Sequence, residues 1–167
     1  AIAWSSNIYF YTVGGGYGNI EGLGEERITE YYRMYGLGEK TGVNLPNESP
    51  GRVPDEEWKL ENKGERWYQG DNYNISIGQG DLLISPLHIT MAEAAIANNG
   101  DVLVPQIERG AERQVRRELS VNKEYLQIVR EGMRQVLTAG TTCDCLFDGI
   151  TPDVAGKSGT AETDTPG

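Results

Sequence analysis

Apolar and aromatic positions fall into a few short runs, and their spacing predicts most of the secondary structure. The run SNIYFYTV follows serines suited to capping and is stopped by Gly14, Gly15 and Gly16, which predicts a short helix. In EERITEYYRMYG, Ile28, Tyr31 or Tyr32, and Tyr35 recur at helical spacing and Gly36 closes the segment. SPLHITMAEAAIANNG has Ser85 as N-cap, Pro86 at the first helical position and Asn98-Asn99-Gly100 as its stop. It is apolar nearly all round, so a buried central helix is expected. NKEYLQIVREGMRQVLTAG sets Leu126, Val129, Met133, Val136 and Leu137 on one stripe of an amphipathic helix. Between Gly36 and Gly80 the chain is rich in Gly, Pro, Asn and charge. Only PDEEWKLEN reads as helix there, with Pro54 in its first turn. So long an irregular stretch in a compact domain is usually functional or poorly ordered. DVLVPQIERGAERQVRREL predicts a strand pair turning at Arg109-Gly110, and VAGKSGTAE, small-residue and preceded by Pro152, reads as a strand. The order of elements predicts an α+β fold with a largely helical body.

Charge and composition narrow the function. The 167 residues suffice for one domain with a real core. Asp and Glu total 25 against 15 Lys and Arg, a formal net charge of −10, which argues against nucleic acid and against an anionic membrane surface as direct partners. No apolar run approaches the length of a membrane span, and AIAWSSNIYF lacks the basic start of a signal peptide. The chain opens on Ala1 without Met, which leaves room for a targeting or anchoring segment upstream. Cys143 and Cys145 with one distant histidine, His88, do not make a four-ligand zinc site, so no metal or cofactor is expected; two small residues near a helix end account for the cysteines.

Near the C-terminus, AGKSG has the letters of a phosphate-binding loop but fails on spacing, because the required upstream glycine position holds Thr151 and no helix-forming sequence follows. The other chemistry for Lys-Ser-Gly belongs to acyl-serine enzymes built on Ser-x-x-Lys, Ser-x-Asn and Lys-Thr/Ser-Gly. The first places a nucleophilic hydroxyl and an amine one helical turn apart. The second supplies a proton-relaying hydroxyl and an amide that can bond the substrate. The third is a strand whose lysine brings positive charge while small residues let a substrate backbone lie close. The chain holds Ser5-Ser6-Asn7 near its start and Lys157-Ser158-Gly159-Thr160 near its end. Two decoys share these spellings. Lys40-Thr41-Gly42 lies in a Gly/Pro loop just after a helix, and Ser120-Val121-Asn122-Lys123 is accounted for by a helix-capping serine.

With SSNIYFY, YGLGEKTGVNLPNE, ISIGQGDLLISPLHITMAEAAIANNG and AGKSGTAE in consecutive order, the chain resembles the transpeptidase domain of class B penicillin-binding proteins over most of its length. SIGQG leans toward the elongation type rather than the division type. The resemblance implies the mainly helical part of the penicillin-binding transpeptidase and serine β-lactamase-like fold, with its central antiparallel sheet incomplete. It implies a D,D-transpeptidase that attacks a stem peptide ending in D-Ala-D-Ala through a serine and passes the acyl group to a neighbouring strand's amine. β-Lactams would acylate the same serine. Carried over by residue, Ser5 relays a proton, Asn7 holds the substrate amide and Lys157 stabilises charge. Ser158 and Thr160 bind the substrate carboxylate, Gly159 allows close approach, and the Thr160 amide forms half of an oxyanion hole. The site would face outside the cytoplasmic membrane on an anchored parent, with a membrane glycosyltransferase as its partner.

Where the chain departs from the family pattern, further expectations follow. The family's nucleophile precedes Ser-x-Asn, so Ser120 comes too late and the nucleophile is expected upstream of Ala1. Further sheet strands and a closing helix are expected beyond Gly167. Residues 1–167 would then be a partial transpeptidase domain, inactive alone, with its C-terminal strand loose or paired with another molecule. Rival readings are a D,D-carboxypeptidase or β-lactamase of the same fold, a non-catalytic β-lactam sensor, and a binding module without enzymology.

Overall fold

A computed structural model describes residues 1–139 and 154–160. Helix α1 spans Asn7–Gly15; the Ser6 hydroxyl caps it by accepting from the Tyr9 amide, and the Gly16 amide donates to the Thr12 carbonyl at its far end. Helix α2 spans Gly24–Met34, with Glu25 and Glu26 in its first turn and Arg33 in its last, charges that complement the helix dipole. Gly36 follows at φ 84°, and a Cβ there would lie 2.6 Å from the Met91 methyl carbon, so glycine lets the chain turn against the next layer.

Helix α3 spans Glu56–Lys63 and is capped by Asp55, whose carboxylate takes the Trp58 amide at 2.8 Å. Pro54 therefore lies before the cap and not in the first turn as expected, because the acidic cap starts the helix after it. Helix α4, Gln69–Ser76, was not predicted. Its Gly, Asp and Asn residues are poor helix formers. The Asp71 carboxylate accepts the Tyr68 amide at 2.7 Å to close its first turn, and α1 supplies the packing surface. Ile75 is 1% exposed.

Helix α5 spans Pro86–Ala97 with Ser85 and Pro86 starting it as predicted. It is not buried all round: His88, Met91 and Ala95 form one inward stripe, while Ile89 is 44% exposed. Strands β1, Asp101–Leu103, and β2, Val115–Glu118, pair antiparallel with Val102 opposite Arg117 and an irregularity between Val102 and Leu103. Helix α6 spans Lys123–Thr138 and buries Leu126, Val136 and Leu137 from the predicted stripe. Its cap is Asn122, whose side chain accepts the Glu124 amide at 2.9 Å; the expected capping by Ser120 is wrong, since that residue lies before the helix begins.

The elements form two packed groups. Helices α1, α2 and α4 contact one another; α5 packs on β1 and α6. Met91, Ala95 and Val102 form a buried cluster, against which Tyr35 and Leu119 pack. Polar ties add to this joint: Arg117 donates to the Arg33 carbonyl at 2.9 Å, and His88 Nε2 lies 2.8 Å from the Glu39 carbonyl. The fold is α+β, and among the described residues its strands form one small two-stranded sheet.

Residues 154–160 do not form the predicted strand within the described structure. A strand is defined by its partner, and no described strand runs beside them. The segment is instead tied at Gly156, whose amide donates to the Met133 carbonyl of α6 at 3.2 Å.

Candidate active site

Ser5 sits in the turn just before α1. Its amide donates to the Ile2 carbonyl at 3.1 Å and the next amide, of Ser6, to Ala1 at 3.2 Å. With the cap role taken by Ser6, the Ser5 side chain is left for other work. Its φ of 49° is a left-handed conformation that costs a non-glycine residue on the order of 1 kcal/mol. Asn7 is the first residue of α1 and is exposed.

Lys157 reaches this turn from the other end of the sequence. Its Nζ donates to Ser5 Oγ at 2.7 Å, a contact between residues 152 positions apart, and also to the Ser158 carbonyl at 2.8 Å and hydroxyl at 3.3 Å. The Ser5 hydroxyl accepts from the ammonium and keeps its own proton available to a ligand.

These groups line a cleft of about 470 Å³ that contains all six residues singled out from the sequence: Ser5, Asn7, Lys157, Ser158, Gly159 and Thr160. Phe10, Ser76, Ile77 and Gln79 complete its described lining. Sequence reasoning did not name these four as site residues, although ISIGQG was among the segments carrying the resemblance. Gln79 Nε2 donates to the Thr160 carbonyl at 3.2 Å. Lys157 is the one charged residue among those described lining residues, in a chain of net charge −10. The arrangement offers a cation, several hydroxyls and backbone amides around a small-residue edge, which suits an anionic, peptide-like ligand.

Both decoys lie outside this cleft's lining. Thr41 is fully buried, and its hydroxyl and amide both donate to Glu48, the amide at 2.7 Å; the Gly42 amide adds a bond at 3.4 Å. Desolvation pushes the Glu48 carboxyl up, but these bonds outweigh it and hold its pKa below the ordinary value. Lys40-Thr41-Gly42 is thus a clipped structural loop. Ser120 and Lys123 do not share a helical turn, because Lys123 is the first residue of α6.

Among the described residues no group of three His, Cys, Asp or Glu side chains converges as a metal site. His88 is fully buried between Ser85 and the Glu39 carbonyl, a structural position. Cys143 and Cys145 lie outside the described residues. No helix among them is long and apolar enough to cross a membrane.

Comparison with known proteins gives the family. The whole chain, residues 1–167, matches the family described as the penicillin binding protein transpeptidase domain. It is 35% identical over 175 residues to the peptidoglycan D,D-transpeptidase MrdA of Acinetobacter baumannii, covering 97% of this chain and 24% of that protein. Among solved structures it is similar to a penicillin-binding protein (PBP2) of Helicobacter pylori in complex with MreC. That match has a TM-score of 0.81 and 33% identity, over 98% of this chain and 30% of the other. It is likewise similar to PBP2 of Pseudomonas aeruginosa in complex with WCK 5153, with a TM-score of 0.83 and 26% identity over 97% of this chain and 37% of the other. The chain spans between about a quarter and two fifths of the length of these relatives. With the family model matching the whole chain and the fold shared with solved relatives, the chain belongs to the penicillin-binding protein transpeptidase domain family.

Proposed function

We propose that these residues are part of an elongation-type peptidoglycan D,D-transpeptidase, supplying two of its three catalytic elements. The observation that carries the reading is the 2.7 Å bond from Lys157 Nζ to Ser5 Oγ in a cleft with the four other motif residues. The acyl donor is a stem peptide ending in D-Ala-D-Ala. The nucleophile is a serine of a Ser-x-x-Lys element on residues preceding Ala1. Its Oγ attacks the carbonyl carbon of the penultimate D-Ala, forming a tetrahedral oxyanion that collapses to an acyl-serine as terminal D-Ala leaves with a proton. An amine of a neighbouring strand then takes the acyl group and returns the serine.

In this scheme the Ser5 hydroxyl, polarised by the Lys157 ammonium, passes a proton between the upstream lysine and the leaving amine. Asn7 bonds the donor's amide. Ser158 and Thr160 bind the terminal carboxylate, Lys157 supplies the attracting charge, and Gly159 leaves room for the donor backbone. The Thr160 amide provides half of the oxyanion hole, and the nucleophile's own amide the other half. β-Lactams acylate the same serine. The parent works on the outer side of the cytoplasmic membrane, held by an anchor. A membrane glycosyltransferase that makes the strands to be cross-linked is its partner, and the complex of the H. pylori relative with MreC supports assembly with an MreC-like protein.

The test is covalent labelling by a fluorescent penicillin. The N-terminally extended protein is expected to label, and Lys157→Ala or Ser5→Ala to lose at least about a hundredfold in rate. The 167-residue chain alone is expected not to label. Labelling of the short chain that disappears in Ser120→Ala would refute the upstream nucleophile.

A further inference from the structure

We infer that Gln79 is a positioning residue for this site: its side-chain amide holds the Thr160 end of the cleft edge, so that the Thr160 backbone meets the acyl donor in fixed geometry. The inference rests on the transpeptidase reading and adds to it a residue outside the three catalytic elements.

Four observations carry it. First, Gln79 Nε2 donates to the Thr160 carbonyl at 3.2 Å across 81 positions of sequence. Second, the described ties on this segment are few. The Gly156 amide is held by Met133 and the Lys157 ammonium by Ser5, but Thr160 lies three residues further on, roughly 10 Å of extended chain. Without Gln79 no described bond fixes that end. Third, Gln79 stands in a hydrogen-bonded turn. Its amide donates to the Asn74 carbonyl at 2.9 Å, and it sits between Gly78 and Gly80, both at φ 75°, which turn the chain sharply after α4.

Fourth, α4 is itself gauged from α1, the helix that begins at Asn7 directly after the Ser5 turn. Tyr73 donates to the Gly16 carbonyl at 3.1 Å, Gln69 to the Gly15 carbonyl at 3.1 Å, and the Ser76 side chain abuts Gly14. The two sides of the cleft are therefore referred to one frame, with Gln79 as the cross-tie. A carbonyl oxygen has two lone pairs, so the bond from Gln79 leaves one for a donor peptide laid along Lys157–Thr160. Holding the carbonyl fixes the peptide plane that follows Thr160, so the oxygen's remaining lone pair keeps one direction toward a donor peptide laid along this edge.

Gln79→Ala and Gln79→Glu are the variants. The second keeps the size but cannot donate at neutral pH. In the N-terminally extended protein, the maximal rate of acylation by fluorescent penicillin should fall about threefold to tenfold in both, the worth of one neutral hydrogen bond. The non-covalent dissociation constant should change less than twofold. In the 167-residue chain, ¹⁵N relaxation should show Thr160 loosened in both variants and Asn7 unchanged. Wild-type acylation in Gln79→Glu would overturn the inference, because the residue would then only fill space. So would a weakened dissociation constant at unchanged maximal rate, which would make Gln79 a direct ligand contact. If either result is seen while Lys157→Ala abolishes labelling, the transpeptidase reading stands and the Gln79 role falls. If the extended wild type does not label, both fall.

Discussion

Gly14→Ala tests how the cleft is built. A Cβ added at Gly14 would lie 1.7 Å from Ser76 Oγ, 2.6 Å from Ser76 Cβ and 3.3 Å from Ile28 Cδ1. Turning the Ser76 side chain relieves the first contact but not the second, because the α4 backbone sets the position of that Cβ. Carbon atoms pack comfortably at about 3.5–4.0 Å, so α1 and α4 must part by roughly 1 Å. Overpacking of this kind costs about 1–3 kcal/mol, against which alanine returns about 1 kcal/mol of helix propensity. The cleaner quantity is the coupling with Ser76→Gly, which removes the opposing atoms. Urea unfolding of the wild type, both single variants and the double variant should give a coupling energy of about 1–3 kcal/mol, with Gly14→Ala neutral or stabilising once Ser76 is glycine. A coupling below about 0.5 kcal/mol would refute the claim that this glycine sets the helix separation. In the N-terminally extended protein the single variant should also slow penicillin acylation more than it weakens binding, since α1 begins with Asn7 and directly follows the Ser5 turn.

Other expectations concern pH and packing. Burial pushes the Tyr32 phenol up to about 12, and its hydroxyl donates to the Ile75 carbonyl. This stability is intact below the unfolded pKa near 10 and is lost as pH rises toward 12. At pH 11 the loss is about 1.4 kcal/mol, and Tyr32→Phe should remove that slope in urea titrations at pH 9–11. Glu48 has the opposite sign: its depressed pKa gives stability present above about pH 4.5 and lost as pH falls through the folded value. Glu48→Gln should cost about 1 kcal/mol at pH 7 and flatten the acid limb of a stability–pH profile. Lys59, 5% exposed, bonds Asp71 at 2.7 Å, and Asp71 also closes the first turn of α4. Lys59→Ala should destabilise by about 3 kcal/mol in urea unfolding and raise hydrogen exchange in α4 ahead of α5.

Local rules determined much of this chain. Ser6 and Gly16 bound α1, Ser85 and Pro86 start α5, and the apolar stripe of α6 follows its period, because caps and periodicity are properties of adjacent residues. The motif residues Ser5, Asn7 and Lys157–Thr160 could be picked out as short words, and reading them in order was enough to suggest the family. What the words lacked was any signal of mutual distance. Tertiary structure alone decided that Lys157 meets Ser5, since 152 intervening positions carry no local rule. It also decided α4, whose Gly-, Asp- and Asn-rich sequence is weak helix material until α1 presents Gly14 and Gly15 to Ser76 and Tyr73. The buried stripe of α5 was narrower than its composition predicted, because burial depends on which neighbours arrive and not on hydrophobicity alone. Residues 154–160 show the same limit: strand-like letters do not make a strand without a partner edge, and their path is set by contacts with the turn before α1, with α6 and with the turn after α4.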